Sequence, residues 1–355
     1  MITFWDLVQD NDFRNYVERR LADGTKNPEY SFPAVLPPLY KYRPMSKYAV
    51  DDILAGHLTA SSIGEFNDLF DGAMHNYGTK EERVQAAENK WNELIKLGLP
   101  EGLLKHDDYV SLYAEHFKTE SRLKFRELDY LGTYVCCLSS KCDSTLMWSH
   151  YANSNTGICI EYNFNDSEVK TLQRCSVFPV AYSQNPIDLR DLLADEKGKT
   201  YQYPLDAAVL CAALNKASVW NYENEWRVVL VFAMAKNYER RLSLIAPSAP
   251  KSIAFGYHFL KPFFYYDYKN KDERDSARVR LCDMLRLLEY SKKQGIPVAV
   301  MVPDIGGYNL SKRFVDINAF IQLIKYHFDD NEPENMRYYY VVHDKLMDLL
   351  KNDDK

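Results

Sequence analysis

Two short segments of this 355-residue chain carry the side chains that could do chemistry. In the first, from Met147 to Gly157, the residues Trp148, His150 and Tyr151 stand just before a glycine turn and an apolar run. We expect a short aromatic and polar helical turn between two strands, which is a suitable place to line a pocket. The alternative is structural, with the two aromatic residues in the core and His150 as an ordinary polar residue beside them.

In the second segment, Glu223 and Glu225 stand two residues apart. Where the chain is extended, both side chains project to the same side, and Arg227 shares that side. Charges at the mouth of the apolar run that follows are costly to bury unpaired. The pattern therefore indicates either a catalytic carboxylate or a Glu–Arg ion pair. For the catalytic role Glu225 is preferred, because it directly precedes the rigid core of the strand.

A third set of polar residues, Asn67, Asp68 and Asp71, lies in one loop. Asn and Asp are common in loops because their side chains bond the nearby backbone, which is the simple interpretation here. Together with the two glutamates of the second segment, the same residues would also suit a metal-dependent nuclease or hydrolase. The sequence leaves both interpretations open.

Charge and motifs narrow the class of protein. The formal net charge of -6 gives no basic footprint for general binding to a phosphate backbone, so a nucleic-acid partner would need a local patch. The chain shows no signal peptide and no apolar run of about 18 residues, which predicts a cytoplasmic protein without a membrane partner. The motifs GxGxxG and GxxxxGKS/T are missing, which disfavours a Rossmann enzyme or a P-loop NTPase.

Cysteine usage points to the same compartment. The seven cysteines are scattered and form no CxxC pair. Most of them lie in apolar runs, which predicts reduced thiols in the core and argues against a zinc ribbon or a disulfide scaffold.

The remaining pattern predicts an α+β fold in which one mixed or split β-sheet is surrounded by helices. Short apolar runs bounded by turn residues predict strands at 39–43, 57–61, 134–139, 158–164, 177–182, 226–232, 252–256 and 297–302. Helical spacing predicts helical or mixed segments at 1–23, 46–55, 79–127, 205–218, 276–293, 317–328 and 338–350. A Pro-rich run at 32–38 predicts an extended linker. We therefore divide the chain into an N-terminal helix and linker (1–37), a main α+β domain (38–303) and a C-terminal helical extension (304–355).

Six motifs, taken in order, resemble the bacterial family DUF2971. They are LYKYR, LTASSIGEFNDLFDG, CCLSS, LMWSHYANSNTGICIEY, YENEWRVV and SIAFGY, and they span about residues 38–302. Many relatives have a His shortly before the glycine where this chain has Asn155, Thr156 and Gly157. A role that depends on that second His is therefore absent here. The family name itself implies no activity.

The order and spacing of the same elements also resemble the ADP-ribosyltransferase fold, and most of all the DNA-modifying toxins of phage-defence toxin–antitoxin pairs. This resemblance implies NAD as substrate, a nucleic acid or a protein as acceptor, and a cognate antitoxin or other defence partner. Breaking the nicotinamide–ribose bond passes through an oxocarbenium-like transition state, which a nearby carboxylate stabilises. Aromatic rings would stack on the nicotinamide, and a cation would bind the pyrophosphate.

Under this resemblance, roles fall on named residues of this chain. The predicted catalytic residues are Glu225, Glu223, His150 and Tyr151. The predicted NAD-binding residues are Lys41, Tyr42, Arg43, Ser61, Asn67, Asp68, Trp148 and Arg227. No metal ligand is assigned. The alternatives are a non-catalytic protein that binds a nucleotide or a partner through the same cleft, and the metal-dependent nuclease described above.

One geometric expectation follows from these assignments. Lys41, Tyr42, His150, Tyr151 and Glu225 should converge on a single cleft although they are far apart in sequence. A separation of more than about 15 Å between His150 and Glu225 would exceed the size of an ordinary ligand pocket and would contradict a common site.

Overall fold

A computed structural model describes residues 36–68, 70–75, 79–98, 105–116, 133–165, 177–188, 212–231, 241–263, 271–327, 345–348 and 350. Within these residues the chain is an α+β protein with a mixed sheet and several helices, as the sequence predicts. None of the helices there combines the length and the apolar character that a membrane crossing requires. The predicted segments 1–23 and 32–35 lie outside the described residues.

The described strands are β1 (Leu39–Arg43), β2 (His57–Ser62), β3 (Met74–His75), β4 (Thr133–Ser139), β5 (Ile158–Tyr162), β6 (Val177–Pro179), β7 (Ala181–Ser183), β8 (Ile187–Asp188), β9 (Asn215–Ala217), β10 (Glu225–Val231), β11 (Arg241–Ile245), β12 (Ser252–Phe255), β13 (Val298–Pro303) and β14 (Leu310–Phe314). The described α-helices are α1 (Lys47–Leu54), α2 (Lys80–Lys96), α3 (Thr145–Tyr151), α4 (Lys271–Gln294) and α5 (Ile317–His327). Residues 106–116 and 345–348 are also helical.

Two sequence predictions are wrong in part. The predicted strand 177–182 is two strands, because β6 pairs with β10 in the main sheet while β7 pairs with β9 in a separate two-stranded sheet. The predicted helix 205–218 lies partly outside the described residues, and its end is the strand β9. The polar side chains of β9 gave no apolar run from which a strand could be predicted.

The main sheet divides at β4. Its strand order is β11–β2–β4–β1–β5–β12–β13–β14, and β10 pairs with β4 along the whole length of that strand. The other edge of β4 is shared, because β2 pairs at Tyr134 and Val135 whereas β1 pairs only at Ser139. Between these two contacts, the ammonium of Lys41 donates to the carbonyl oxygen of Cys137 at 2.8 Å. The gap between β1 and β2 thus opens the sheet at one place.

The two faces of the sheet are covered differently. On one face, alternate residues such as Ile158 and Ile160 pack in a large apolar core against α1, α4 and α5. On the other face, Tyr42 and Cys159 form a smaller cluster with Met147 and Trp148 of α3, among others. Directly opposed residues in paired strands lie on the same face. Tyr40, Ser139 and Glu225 are opposed across β1, β4 and β10, so their side chains project together on the α3 side.

The turn from α3 into β5 depends on backbone that only some residues adopt. Asn153, Ser154 and Asn155 have φ angles of 48°, 56° and 65°, in the left-handed region that Asn tolerates better than most residues. A Cβ atom on Gly157 would lie 2.3 Å from the carbonyl oxygen of Arg43. A Cβ on Gly256 would lie 2.3 Å from that of Asn155. Both positions therefore require glycine.

We expect Gly157→Ala and Gly256→Ala each to lower the free energy of unfolding by about 1–3 kcal/mol, the usual cost of overpacking. The reason is that the contacts are with backbone atoms, which move less readily than side chains. Urea unfolding measures the change. Gly64→Ala is the matched control, because the nearest atom to its added Cβ is 3.9 Å away. Equal stability of the three variants would show that the α3–β5 turn adapts freely.

Candidate active site

A cavity of about 210 Å³ lies at the opening of the sheet. Its walls come from β1, the loop after β2, β4, helix α3, and the segment from β9 to β10. The aromatic residues on the walls are Tyr40, Tyr42, Phe66 and Tyr151. The charged residues on the walls are Lys41, Asp71, Lys216, Glu223 and Glu225. An aromatic cavity with a few convergent charged groups is the usual form of a small-molecule site.

Arg227 holds one side of this charged group together. Its side chain is fully buried, and two of its nitrogens donate to the carboxylate of Asp71, at 2.7 Å each. It also donates to both carboxylate oxygens of Glu225, at 2.9 and 3.0 Å, and to the carbonyl oxygen of Ala213 at 2.6 Å. All five N–H groups of the guanidinium are therefore used. Arg227 has no donor left for a pyrophosphate, contrary to the predicted NAD-binding role.

Lys216 joins the carboxylates from the other side. Its ammonium lies 2.5 Å from Glu223, 3.0 Å from Glu225 and 3.7 Å from Asp71. Burial would lower the pKa of Lys216, but Glu225 and the other carboxylates raise it above its ordinary value, so the side chain stays charged. Lys216 is not among the site residues predicted from the sequence. The sequence shows no signal for it, because a lone Lys in a short polar run resembles a surface residue.

The two glutamates differ in their environment. Burial alone would raise the pKa of Glu225, but Arg227 and Lys216 hold it well below its ordinary value. Glu223 accepts hydrogen bonds from the hydroxyl of Tyr151 and the ammonium of Lys216, at 2.5 Å each. Burial, and next the charge of Glu225, raise the pKa of Glu223 to about 7, although Lys216 opposes the shift. Divergent pKa values in neighbouring carboxylates are typical of acid and base roles in one active site.

A sharp bend brings both glutamates to the cavity. Glu223 ends a 3₁₀-helix (Ser218–Glu223), Asn224 follows with a φ of 44°, and Glu225 begins β10. The hydroxyl of Ser139 donates to the carbonyl oxygen of Glu223 at 2.6 Å. The backbone N–H of Glu225 donates to the hydroxyl of Tyr182 at 2.9 Å. Because these bonds fix the backbone on both sides of the bend, the two carboxylates are held in place by the strands around them.

Of the five residues expected to converge, Lys41, Tyr42, Tyr151 and Glu225 line this cavity. His150 is exposed and does not line it. The imidazole Nδ1 hydrogen-bonds with the hydroxyl of Tyr222 at 3.0 Å instead. His150 is therefore placed beside the site rather than in it.

Of the other predicted NAD-binding residues, only Asn67 lies on the cavity wall. Trp148 is fully buried, donates to the carbonyl oxygen of Cys142 at 2.7 Å and packs edge-on against the ring of Tyr42, so it is a core residue. Arg43 pairs with Asp52 at 2.6 Å.

Two further predicted residues also lie off the wall. Ser61 is opposed to Val135 within the sheet. Asp68 accepts a hydrogen bond from the backbone N–H of Phe70 at 2.9 Å. This local bond is the loop interpretation that the sequence left open for Asp68.

The cavity residues are not arranged for metal binding or for catalysis by a thiolate. Among the residues that the structure describes, no group of three or more His, Cys, Asp or Glu side chains is arranged to hold a metal ion. The carboxylates of Asp71 and Glu225 are already paired with Arg227. The thiol of Cys137 also lines the cavity, but burial raises its pKa well above the ordinary value, so little of the nucleophilic thiolate forms.

The fold and the site define an α+β protein with a buried cluster of charged residues at the opening of its sheet. Residues 147–228 match the family model of DUF2971, described as proteins of unknown function. This match agrees with the resemblance that the sequence motifs show to the same family, and the matched segment contains Tyr151, Lys216, Glu223, Glu225 and Arg227. No curated protein and no solved structure matches the chain.

Proposed function

We propose that this protein is an NAD-consuming enzyme of the ADP-ribosyltransferase type. The observation that carries the proposal is the pair Glu223 and Glu225, held by Lys216 in an aromatic cavity where the sheet opens. A buried carboxylate that faces an aromatic pocket suits a reaction in which positive charge develops on a sugar ring. The mixed, divided sheet also agrees with the resemblance to that fold.

In the proposed reaction the bond between nicotinamide and ribose breaks. The bonding electron pair leaves with the nicotinamide, which becomes neutral, and the ribose carbon becomes oxocarbenium-like. An acceptor oxygen or nitrogen then attacks this carbon and loses its proton to the solvent. Glu223 is the residue to stabilise that positive charge, because its oxygens are bonded only to Tyr151 and Lys216 in the described contacts. Glu225 is a positioning residue, since Arg227 and Lys216 occupy its oxygens. The preference between the two glutamates is thus reversed from the sequence analysis.

The other walls suit the rest of the nucleotide. The rings of Tyr40 and Tyr151 offer aromatic surface to the nicotinamide. The ammonium of Lys41 is half-buried and donates to Cys137, which leaves hydrogens for a phosphate oxygen. A cavity of about 210 Å³ is smaller than a typical pocket for a whole ligand, so it would take the nicotinamide and ribose while the remainder lies outside.

The acceptor and the biological role are proposed from the resemblance to the ADP-ribosyltransferase fold. A macromolecular acceptor, nucleic acid or protein, and a role as a toxin or phage-defence effector with a cognate partner are what that resemblance implies. Because the net charge is -6, a nucleic-acid acceptor would have to bind through a local basic patch. The second candidate function is non-catalytic binding of a nucleotide through the same cavity, which the charged walls would serve equally well.

We expect the 355-residue protein to release nicotinamide from NAD in amounts that exceed the amount of protein. Water can replace the macromolecular acceptor in such reactions, so release should be detectable without one. Chromatography of the reaction mixture measures it, and heat-denatured protein is the control. Binding of NAD without any release, in the presence and absence of cell extract, would favour the non-catalytic candidate instead.

A further inference from the structure

The buried charges of the site do not balance. Three carboxylates, those of Asp71, Glu223 and Glu225, contact two cations, Lys216 and Arg227. Each of the five side chains is at most 6% exposed. If all five are ionised, the group carries one negative charge in excess. An unpaired charge away from water is unfavourable by several kcal/mol, so the group gains from any additional positive charge.

A proton is the simplest additional charge, and Glu223 is the residue to bind it. Asp71 and Glu225 each have bonds from Arg227 to both oxygens, whereas Glu223 shares Lys216 with its neighbours and has the neutral Tyr151 as its other partner. The pKa of Glu223 near 7 agrees with this geometry. When Glu223 is protonated, the five side chains together carry no net charge. When Glu223 is deprotonated, they carry one negative charge, which a bound cation can balance.

The phenols and the thiol near Glu223 leave this balance unchanged near neutral pH, and burial raises the pKa of Tyr222, the residue before it in the chain. Burial raises the pKa of Tyr151 and Tyr182, so both phenols stay neutral. The same holds for the thiol of Cys137. Lys41 adds a positive charge to the wall, but its ammonium is bonded to the Cys137 carbonyl oxygen and is half-buried, so solvent screens it. The cavity therefore has a negative side at Glu223 and a positive side at Lys41.

We propose that the cavity selects a ligand with a positively charged aromatic ring, of the N-substituted pyridinium class, and that this ring displaces the proton of Glu223 when it binds. The inference rests on the proposed function, because NAD carries such a ring. Its physical reasons are the excess negative charge and the ring of Tyr151, which lines the cavity beside Glu223, since aromatic faces attract cations. The ring of nicotinamide alone has the same shape without the charge, and it should bind more weakly.

The test is titration calorimetry of the 355-residue protein with 1-methylnicotinamide, a cation without a ribose to lose, and with neutral nicotinamide. Titrations at about pH 5.5, 6.5, 7.5 and 8.5, in two buffers with different ionisation enthalpies, count the protons released. Because the proton and the cation compete, the Kd of 1-methylnicotinamide should fall about tenfold between the two lowest pH values and level off above about pH 7.5. Nicotinamide should bind at least about tenfold more weakly above pH 7.5, a difference of about 1.4 kcal/mol, with little change with pH.

Two variants assign the effect to Glu223. Glu223→Gln resembles the protonated state, so it should lose both the pH dependence and the preference for the cation. Glu161→Gln is the matched control, because Glu161 is a partly buried carboxylate that pairs with Lys312 at 2.7 Å and does not line the cavity. This variant should keep the behaviour of the natural chain. Equal affinity for the two ligands above pH 7.5, or cation binding without proton release at pH 5.5 and 6.5, would overturn the proposal.

The result separates this proposal from the proposed reaction. Binding of 1-methylnicotinamide with proton release, in a protein that does not cleave NAD, would support the charge selection and contradict the enzyme. Release of nicotinamide from NAD by a protein that shows no such coupling would support the enzyme and overturn the charge selection.

Discussion

Glu223→Gln is expected to lower the rate of nicotinamide release from NAD by about 10²-fold or more, while the protein stays folded. The substitution keeps the shape of the side chain and its two partners, Tyr151 and Lys216, but removes the negative charge that would stabilise the oxocarbenium-like transition state. The loss should fall on the rate at saturating NAD, because that charge acts most strongly when the ribose becomes positive. Initial rates over a range of NAD concentrations measure it.

Two controls make this result specific. Glu161→Gln removes a carboxylate outside the cavity and should leave the rate unchanged. Tyr151→Phe keeps the charge of Glu223 and removes one hydrogen bond to it, so its effect should be smaller than that of Glu223→Gln. Unchanged release by Glu223→Gln would remove Glu223 from the mechanism and leave the charged group as a structural feature.

The sequence predicts the central strands because their side chains are apolar. β1 has the predicted bounds, 39–43, and the predicted strands 57–61 and 134–139 each differ from β2 and β4 by one residue at one end. Two of the edge strands of the described sheet, β11 and β14, lie outside the predicted strands. Their side chains are largely exposed or half-buried, so both sequences, RLSLI and LSKRF, mix polar and apolar residues. Burial is what produces a strand pattern, since β6, which also lies at an edge, is buried and falls within a predicted strand.

The sequence likewise predicts only part of the candidate active site. The alternation of an extended chain correctly places Glu225 and Arg227 on one side, and their ion pair is the structural alternative that the sequence left open. The same rule placed Glu223 with them, but Glu223 belongs to a 3₁₀-helix, and it reaches the cavity because Asn224 adopts a left-handed conformation. Lys216 depends on β9, whose pairing with β7 joins residues 30 or more positions apart. Local patterns do not predict such long-range contacts.

Residue type alone does not separate core aromatic residues from aromatic residues of the site. Examples are Tyr42, Trp148 and Tyr151. All three are aromatic and lie near the cavity, but Trp148 bonds a carbonyl oxygen and is fully buried. Tyr42 likewise donates to the carbonyl oxygen of Lys141 at 2.9 Å, although its side chain also reaches the wall. Tyr151 differs because its hydroxyl donates to a carboxylate of the site. The partner of each polar atom, which only the fold determines, separates a core residue from a candidate active-site residue.

Arg227→Met should lower the free energy of unfolding by about 3–5 kcal/mol, the usual effect of removing one partner from a buried ion pair. Met fills much of the same volume, so the loss arises from charge rather than from a cavity. Without the guanidinium, Asp71 loses both of its close bonds to Arg227, and Glu225 keeps its contacts with Lys216 and the thiol of Cys137. Urea unfolding followed by tryptophan fluorescence measures the change. The loss should be larger at pH 8 than at pH 5, because at lower pH protons can neutralise carboxylates that have lost their cation.

Lys325→Met is the matched control, since it also replaces a cation by Met. Lys325 pairs with Glu289 at 2.7 Å, but both side chains are more than half exposed. Such surface pairs contribute about 0–1 kcal/mol, so this variant should be nearly as stable as the natural chain. A loss of similar size in both variants would mean that the Asp71–Arg227–Glu225 group is no more important for stability than a surface ion pair. Its burial would then not explain why Glu225 is unavailable for catalysis, and the assignment of Glu223 over Glu225 would lose its physical basis.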